Sequence, residues 1–347
     1  SDVSFLNQLG PHLKSPAPPA ALVLGAGPSL DDQWDTIGKS RVLKLAVDTA
    51  LEPMQSRGLA PHLSFLFDSQ IENATLVEKV HAEEHNLVTS LEVQPSIFEK
   101  RWRNIFIAGC DRGILSWLER RGNFQAGMLK QGGSVVTCAF DLARQAGCSP
   151  IYFGGVDLSF SRQRVYCKGT AYERRAVEGQ QRFSPVEQVE YQMKSERTER
   201  TISSRPTQEN MYNYFRWLKD EIGRTAQPVY VLTPDGLLAD ILPADGAARM
   251  AMENFPAGFE ESSLRQRFKP NGVLMKDAVG DALAEIKRGL ESFLSPENFS
   301  DPDRLEKAAE ASGISDIIEV VVQPAVAVSR YERGKKEGPN VILKELR

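Results

Sequence analysis

The chain has 347 residues, of which 41% are hydrophobic, enough for one large domain or two ordinary ones. Its net charge of -4 at pH 7 gives no overall attraction to nucleic acid or to an anionic membrane surface. No stretch approaches the ~20 consecutive apolar residues of a membrane-spanning helix, and the N-terminus lacks the layout of a signal peptide. We therefore expect a soluble, cytoplasmic protein without a nucleic-acid or membrane partner.

The first elements follow a short N-terminal segment. Residues 1–20 are polar and then rich in proline, which predicts an exposed lead-in. From Ala21 onward, short apolar runs alternate with helical patterns, as is typical of βαβ units around a mostly parallel sheet. Two of the predicted helices, 49–57 and 134–146, are each followed by a glycine that suits a helix C-terminus. The predicted strands are 21–24, 42–47, 63–67, 87–89, 105–108, 151–153 and 229–232.

The later part of the chain changes in composition. Residues 158–206 lose the hydrophobic period and become rich in Arg, Glu, Gln and Ser, which predicts a functional loop or lid. This segment lies within a predicted ligand-binding domain over residues 21–245, and residues 246–347 show only helical patterns. The fold class is therefore predicted as α/β, with a mostly parallel sheet flanked by helices and a helical C-terminal appendage.

A glycine-rich motif, GAGPSL, follows the first predicted strand of this domain at residues 25–30. Glycines let the backbone approach a ligand, and the N–H groups at the start of the next helix attract an anion. The motif therefore favours the phosphate of a nucleotide or nucleotide-activated substrate, although an ordinary turn with Ser29 as a helix cap has the same pattern. It is not a P-loop, and Leu30 replaces the third glycine of the dinucleotide fingerprint, so a dehydrogenase is a weaker alternative.

Three aspartates, Asp48, Asp68 and Asp157, each come at the end of a predicted strand. Ligands of open α/β sheets bind at this edge, so we expect the three carboxylates to converge on one crevice. Such carboxylates can hold ribose hydroxyls, coordinate a metal or act as a general base. Helix capping is the alternative interpretation for each of them.

Two further segments carry candidate anion-binding groups. Gly132, Gly133 and Ser134 precede another predicted helix and repeat the glycine-then-hydroxyl pattern, which also suits a plain turn with an N-cap. Past Asp157, cations and aromatic residues alternate. This pattern fits two interpretations, a solvated loop or a lid that closes over a phosphate or carboxylate. The lid residues predicted there are Arg162, Arg164, Tyr166 and Lys168. The four histidines form no convincing metal-ligand pattern, so the sequence identifies no metal.

Taken in order, these motifs resemble the flagellar motility accessory factor (Maf) family, whose core domain is similar to archaeal 6-hydroxymethylpterin diphosphokinases. The resemblance implies a Rossmann-like domain related to bacterial sialyltransferases. It also implies transfer of a nonulosonic acid, of the pseudaminic or legionaminic type, from its CMP form to Ser or Thr of flagellin. The motifs that carry it, within roughly residues 20–245, are 25–30, 46–51, 67–68, 132–134 and 154–160.

The resemblance also implies roles for the motif residues. The catalytic histidine of the sialyltransferases has no clear counterpart here, so we expect Asp157, together with Asp68, to take the catalytic role. The CMP-activated sugar is the implied donor substrate, and flagellin or another protein is the implied acceptor. The residues implied to bind the donor are Gly25, Gly27, Pro28, Ser29, Asp48, Gly132, Gly133 and Ser134.

Two alternatives remain open at this point. One is an enzyme like 6-hydroxymethylpterin diphosphokinase, in which the three strand-end aspartates would hold Mg²⁺ and the glycine loop would hold the ATP phosphates. The other is a non-enzymatic export chaperone for flagellin that binds a nucleotide without turning it over.

Overall fold

The computed structural model describes residues 3–13, 17–70, 74–109, 125–178, 197–257 and 261–264, together with residues 119, 195, 259 and 288. The chain divides into two compact units. The first comprises Ser1–Ala108 and Gly127–Pro270, and the second comprises Gly109–Ala126 and Asn271–Arg347. Nearly all the described residues belong to the first unit.

A parallel sheet forms the centre of the first unit. Its strands are β1 (Val3–Phe5), β2 (Ala21–Leu24), β3 (Leu43–Val47), β4 (Leu63–Leu66), β5 (Asn86–Thr89), β6 (Asn104–Ile107), β7 (Ile151–Gly154) and β10 (Val229–Val231). Two further strands, β8 (Arg200–Ile202) and β9 (Arg205–Thr207), lie between β7 and β10 in the chain. The eight strands lie in the order β1-β6-β5-β4-β3-β2-β7-β10, and every neighbouring pair is parallel. β8 and β9 pair antiparallel in a separate sheet.

Helices flank this sheet in the described part of the chain. Helix α3 is Asp48–Gln55, and helix α5 is Val135–Gln145. α3 packs against β3 and β4, and α5 packs against β2, β3 and β4. The other α-helices are α1 (Gly10–Leu13), α2 (Trp34–Lys39), α4 (Pro95–Glu99), α6 (Ala171–Glu178), α7 (Glu209–Gly223), α8 (Gly246–Met250) and α9 (Glu261–Leu264). Short 3-10 helices cover Leu6–Gln8, Pro28–Asp32, Thr75–Val77, Ala82–Glu84, Ser161–Gln163 and Leu237–Asp240. Among these described helices, none is both long and apolar enough to cross a membrane.

The α/β fold predicted from the alternating pattern is confirmed. Each of the seven predicted strands is present, and every strand end lies within one residue of its predicted position. The strands are short apolar runs because helices bury the sheet on both faces, and all residues of β2, β4, β5, β6 and β7 are buried. Gly58 and Gly147, after α3 and α5, have φ angles of 66° and 77°, the left-handed conformation expected at helix C-termini.

The prediction of an exposed lead-in is wrong for residues 3–13. β1 pairs in parallel with β6 and extends the sheet by one strand. Leu6, Leu9 and Leu13 that follow are at most 5% exposed. These leucines are spaced by three and four residues, a helical period that the polar and proline-rich composition of the segment obscured. The domain boundaries after this segment remain predictions, and most of the predicted helical region 246–347 lies outside the described residues.

The strand order places a switch point between β2 and β7. On one side of β2 the strands follow in sequence from β3 to β6, and on the other side lie β7 and β10. The chain therefore runs from β2 towards β3 and from β7 towards β10, in opposite directions, which opens a crevice at the carboxyl ends of β2 and β7. The glycine loop at residues 25–30 and Asp157 both lie at this edge.

Candidate functional site

An open cavity of about 280 Å³ lies at this switch point. Its wall is formed by the turns after β2, β3 and β7, by the start of α5, by the segment between β7 and α6, and by the start of α7. The cavity brings together many of the predicted site residues, namely Gly25, Gly27, Asp48, Asp68, Gly133, Ser134, Asp157 and Tyr166. Pro28, Ser29, Gly132, Arg162, Arg164 and Lys168 are not part of its lining.

The glycine loop packs tightly on the end of β7. The Gly25 N–H donates to the Gly154 carbonyl at 2.9 Å, and the Gly27 N–H donates to the Gly155 carbonyl at 2.7 Å. A Cβ atom on Gly27 would lie 2.8 Å from the Gly155 oxygen, so a side chain does not fit there. These glycines allow two strand ends to approach each other, and their N–H groups are already used within the protein.

Asp157 holds the glycine loop from the other side. Its Oδ2 accepts the Ser29 N–H at 2.9 Å and the Ser161 hydroxyl at 2.5 Å, while its Oδ1 accepts the Ser29 hydroxyl. Both Asp157 and Ser29 are less than 5% exposed, and burial raises the pKa of the Asp157 carboxyl. Asp157 thus caps the start of the 3-10 helix Pro28–Asp32, and the Ser29 hydroxyl points to this carboxylate. The loop is thus a capped turn, as the alternative interpretation had it, but the capping side chain is Asp157 and not Ser29.

The start of α5 opens onto the cavity. Gly133, Ser134 and Val135 line it, and the side chain of Ser134, the N-cap residue, makes no capping hydrogen bond. The hydroxyl of Thr137 fixes this turn, because it accepts the Gly132 N–H at 2.8 Å and donates to the Ser134 carbonyl at 2.5 Å. An uncapped helix start offers N–H groups and a positive dipole end to an anion. The first glycine motif uses its N–H groups within the protein, whereas the second places a helix start at the cavity.

Aromatic side chains of α7 pack on this second glycine motif. A Cβ atom on Gly132 would collide with the Trp217 ring, and one on Gly133 would lie 2.8 Å from Cε1 of Tyr214. Gly133 also has a φ angle of 89°, which favours glycine. Glycine is needed at both positions because α7 lies directly on the turn.

Asp48 and Asp68 line the cavity together with Asp157. Asp48 is 4% exposed, and its Oδ1 accepts the Thr49 N–H at 2.6 Å and the Thr49 hydroxyl at 3.1 Å. Burial raises the pKa of Asp48 to about 6, and the charge of Asp68 adds to this rise against the lowering effect of the Thr49 hydrogen bonds. Asp68 is half-buried and accepts the Gln70 N–H at 2.9 Å. The Asp48 carboxyl is therefore poised to exchange a proton near neutral pH.

Three tyrosines complete the wall. Tyr166 and Tyr172 stack with ring centroids 4.4 Å apart and planes 4° apart, and Tyr214 lines the cavity from α7. Burial raises the pKa values of Tyr172 and Tyr214, so their hydroxyls stay protonated at neutral pH. Such rings offer flat apolar faces to a base or a sugar, and their hydroxyls can donate hydrogen bonds.

The predicted lid cations lie against acidic side chains outside the cavity. Arg162 binds Asp32 at 2.7 Å and Asp235 at 2.6 Å. Arg164 binds Asp31 at 2.7 Å, and the Lys168 N–H donates to the same carboxylate. The arginines of this segment thus pair with carboxylates outside the cavity, whereas Tyr166 lines the cavity. The part of the segment 158–206 that the structure describes contains α6 and β8 as well as loop.

The three strand-end aspartates do not form a common metal site. Asp48 and Asp68 face the cavity, but Asp157 directs its carboxylate to Ser29 and Ser161. Within the described ranges, no group of three or more His, Cys, Asp or Glu side chains is placed to hold a metal ion. All three aspartates line the cavity, as expected, but the Asp157 carboxylate is occupied by Ser29 and Ser161.

Sequence reasoning missed several residues that shape this cavity. Thr137 reads as an ordinary helix residue, and only its position three residues after Ser134 suggests that it supports the turn. Tyr214 lies on an amphipathic helix whose pattern does not indicate which neighbour its ring contacts. Tyr172 belongs to the predicted aromatic segment, but its stacking on Tyr166 depends on the start of α6.

The fold and the crevice define the class of this protein as a Rossmann-like α/β protein with its ligand cavity at the topological switch point. A family model described as 6-hydroxymethylpterin diphosphokinase MptE-like matches residues 4–163, so this part of the chain is similar to that domain. A protein of Treponema pallidum (strain Nichols), named only as uncharacterized, is 30% identical over 150 residues. That match covers 40% of this chain and 38% of the treponemal protein.

One solved structure shows the same fold. The Maf glycosyltransferase from Magnetospirillum magneticum AMB-1 matches 92% of this chain and 47% of its own, with a TM-score of 0.54 and 17% identity. The sialyltransferase CST-II, solved in complex with CMP, gives a TM-score of only 0.32 with 13% identity over 74% of this chain and 97% of its own. The predicted resemblance, a Maf-like fold around an MptE-like domain, is confirmed. The chain spans less than half the length of the treponemal protein and of the Maf glycosyltransferase.

Proposed function

We propose that this protein is a glycosyltransferase that transfers a nonulosonic acid, of the pseudaminic or legionaminic type, from its CMP form to Ser or Thr of flagellin. The observation that supports this proposal most directly is the cavity itself. It combines the uncapped start of α5 with the Asp48 and Asp68 carboxylates at the switch point. A helix start can bind the phosphate of an activated donor, and carboxylates can bind sugar hydroxyls or accept a proton. Flagellar motility would depend on this transfer, which would take place in the cytoplasm.

The donor phosphate would lie at Gly133 and Ser134. Because Arg162 and Arg164 are paired elsewhere, the phosphate charge would be met by the N–H groups of this helix start, the Ser134 hydroxyl and the tyrosine hydroxyls. Preorganised donors of this kind stabilise the charge that develops on a leaving phosphate. The stacked pair of Tyr166 and Tyr172 offers a flat face for a base or a sugar ring.

Transfer to protein tests this proposal directly. Purified protein is incubated with unglycosylated flagellin and with CMP-pseudaminic or CMP-legionaminic acid, and the mass of the flagellin is measured. We expect an increase by one or more sugar residues, together with release of CMP. Binding of CMP without any transfer to flagellin would instead support the export chaperone.

A kinase like 6-hydroxymethylpterin diphosphokinase is the second candidate, because the MptE-like family model covers residues 4–163. In that case Asp48 and Asp68 would be the side chains in the cavity able to hold Mg²⁺, which is commonly bound by one or two carboxylates together with substrate phosphates. The same preparation is therefore incubated with ATP, Mg²⁺ and 6-hydroxymethylpterin, and formation of AMP and of the pterin diphosphate is followed. Formation of these products, with no sugar transfer, would replace the first proposal by this one.

A further inference from the structure

The two carboxylate oxygens of Asp48 have different surroundings. Oδ1 accepts both the N–H and the hydroxyl of Thr49, which fixes the side chain at the start of α3. Oδ2 accepts no hydrogen bond from any residue in the described part of the chain, although the side chain is 96% buried and lines the cavity. One oxygen therefore positions the group, and the other is left for a ligand.

The other two strand-end carboxylates have different surroundings from Asp48. Three donors from Ser29 and Ser161 occupy both oxygens of Asp157. Asp68 is half-buried, and its Oδ1 accepts the Gln70 N–H at 2.9 Å. Asp48 alone among the three combines a fixed geometry, deep burial and an open oxygen on the cavity side.

We infer that Asp48 is the catalytic base that removes the proton from the acceptor hydroxyl, the role that the sequence suggested for Asp157. This inference rests on the proposed function. The acceptor oxygen forms a bond to the anomeric carbon of the sugar as its proton passes to Oδ2 of Asp48. The bond between that carbon and the phosphate oxygen breaks, and its electron pair leaves with CMP. Asp68 remains to bind a sugar hydroxyl on the same side of the cavity.

The surroundings of Asp48 suit a base that works near neutral pH. Burial and the neighbouring Asp68 charge raise its pKa to about 6, so it is mostly ionised at pH 7 but binds a proton readily. The other titratable groups that line the cavity are Tyr166, Tyr172 and Tyr214, in addition to Asp157. Tyr172 and Tyr214 stay neutral in this range, because burial raises the pKa values of both.

The test compares wild type with Asp48→Asn, which keeps an oxygen for Thr49 but cannot accept the proton. We expect kcat to fall by about 100-fold or more, the usual size of a lost general base, while the Kd for CMP changes by less than about threefold. In wild type, kcat/KM is expected to rise with pH and level off above about pH 6, and this dependence should vanish in the variant. Asp35→Asn serves as the matched control, because the Asp35 side chain is 95% exposed on α2.

The possible outcomes separate this inference from the proposed function. If wild type transfers no sugar to flagellin, the proposed function and the inference both fall. If wild type transfers sugar and Asp48→Asn retains its kcat, only the role of Asp48 is overturned. A loss of CMP affinity that accounts for the loss of rate would make Asp48 a donor ligand. Transfer that needs Mg²⁺, with Mg²⁺ binding lost in Asp48→Asn, would make it a metal ligand.

Discussion

The Asp157 carboxylate connects three parts of the site. It binds the N–H and hydroxyl of Ser29 in the glycine loop and the hydroxyl of Ser161 in the segment that carries Tyr166. Its backbone carbonyl also accepts the Leu237 N–H at 2.7 Å. A buried acceptor with several donors is costly to remove, since each donor left without a partner keeps its full desolvation penalty. Asp157 therefore contributes to function by holding the cavity wall in place.

Replacing Asp157 by alanine should lower stability because it leaves the Ser29 N–H and hydroxyl buried without an acceptor. We expect the free energy of unfolding, measured with urea, to fall by at least about 2 kcal/mol. Asp32→Ala is the control, because Asp32 is 67% exposed and its ion pair with Arg162 should contribute less than about 1 kcal/mol. Unchanged stability of Asp157→Ala, with activity lost, would show that this carboxylate acts on the ligand instead.

Asp48 should make stability depend on pH in the opposite sense to an ion-paired carboxylate. Its folded-state pKa of about 6 lies above the ordinary value of 3.8, so folding favours the protonated form and stability falls as the pH rises from about 4 to about 6. At pH 7, Asp48→Asn should therefore raise the free energy of unfolding by up to about 3 kcal/mol, at about 1.4 kcal/mol for each pKa unit. Urea unfolding at pH 7 and pH 4 checks this expectation. The gain should shrink towards zero at pH 4, and a variant less stable than wild type at pH 7 would contradict it.

At the scale of elements, the start of α5 depends on two neighbours. Inside α5, the Thr137 hydroxyl joins the Gly132 N–H to the Ser134 carbonyl and sets the shape of the turn. Outside it, the Trp217 and Tyr214 rings of α7 lie on Gly132 and Gly133. The anion site is therefore a product of helix packing as much as of the glycine motif.

Thr137→Val should test this support, because valine has the shape of threonine but no hydroxyl. The Gly132 N–H then loses its acceptor, and we expect the turn to shift and the Kd for CMP to rise about tenfold, equivalent to about 1.4 kcal/mol. Calorimetric titration with CMP measures this change. Thr137→Ser, which keeps the hydroxyl, should bind like wild type. Equal affinities of the valine variant and wild type would place the phosphate elsewhere.

Local sequence patterns predicted the elements well and the side-chain directions poorly. Strand β2 and its neighbours are short apolar runs, and such runs predict strands that are buried on both faces. The ends of the predicted strands also placed Asp48 and Asp68 correctly at one edge of the sheet. The direction of the Asp157 carboxylate depends on Ser29, which is 128 residues away in sequence. The pairing of Arg162 with Asp32 and Asp235 is likewise set by tertiary contacts that periodicity does not contain.

At the scale of the whole molecule, the cavity has an unusual balance of charge for a site that would take an anionic donor. Three carboxylates line it, those of Asp48, Asp68 and Asp157, and no Lys, Arg or His side chain is among the described lining residues. A helix start and hydroxyl groups can still bind phosphate, but a divalent cation would also neutralise both the carboxylates and the phosphate. The two candidate functions therefore differ in whether nucleotide binding needs a metal.

Thermal unfolding separates these two cases on the complete chain. If the glycosyltransferase proposal is right, CMP should raise Tm in the presence of EDTA, because the start of α5 supplies the phosphate site without a metal. A ligand at 100 times its Kd stabilises the folded state by about 2.7 kcal/mol, so we expect a shift of a few degrees. ATP with Mg²⁺ should give a smaller shift than CMP. Thr137→Val should need about ten times more CMP for the same shift, which ties the effect to this site. A shift seen only with ATP and Mg²⁺, and abolished by EDTA, would favour the kinase, with the carboxylates of Asp48 and Asp68 as metal ligands.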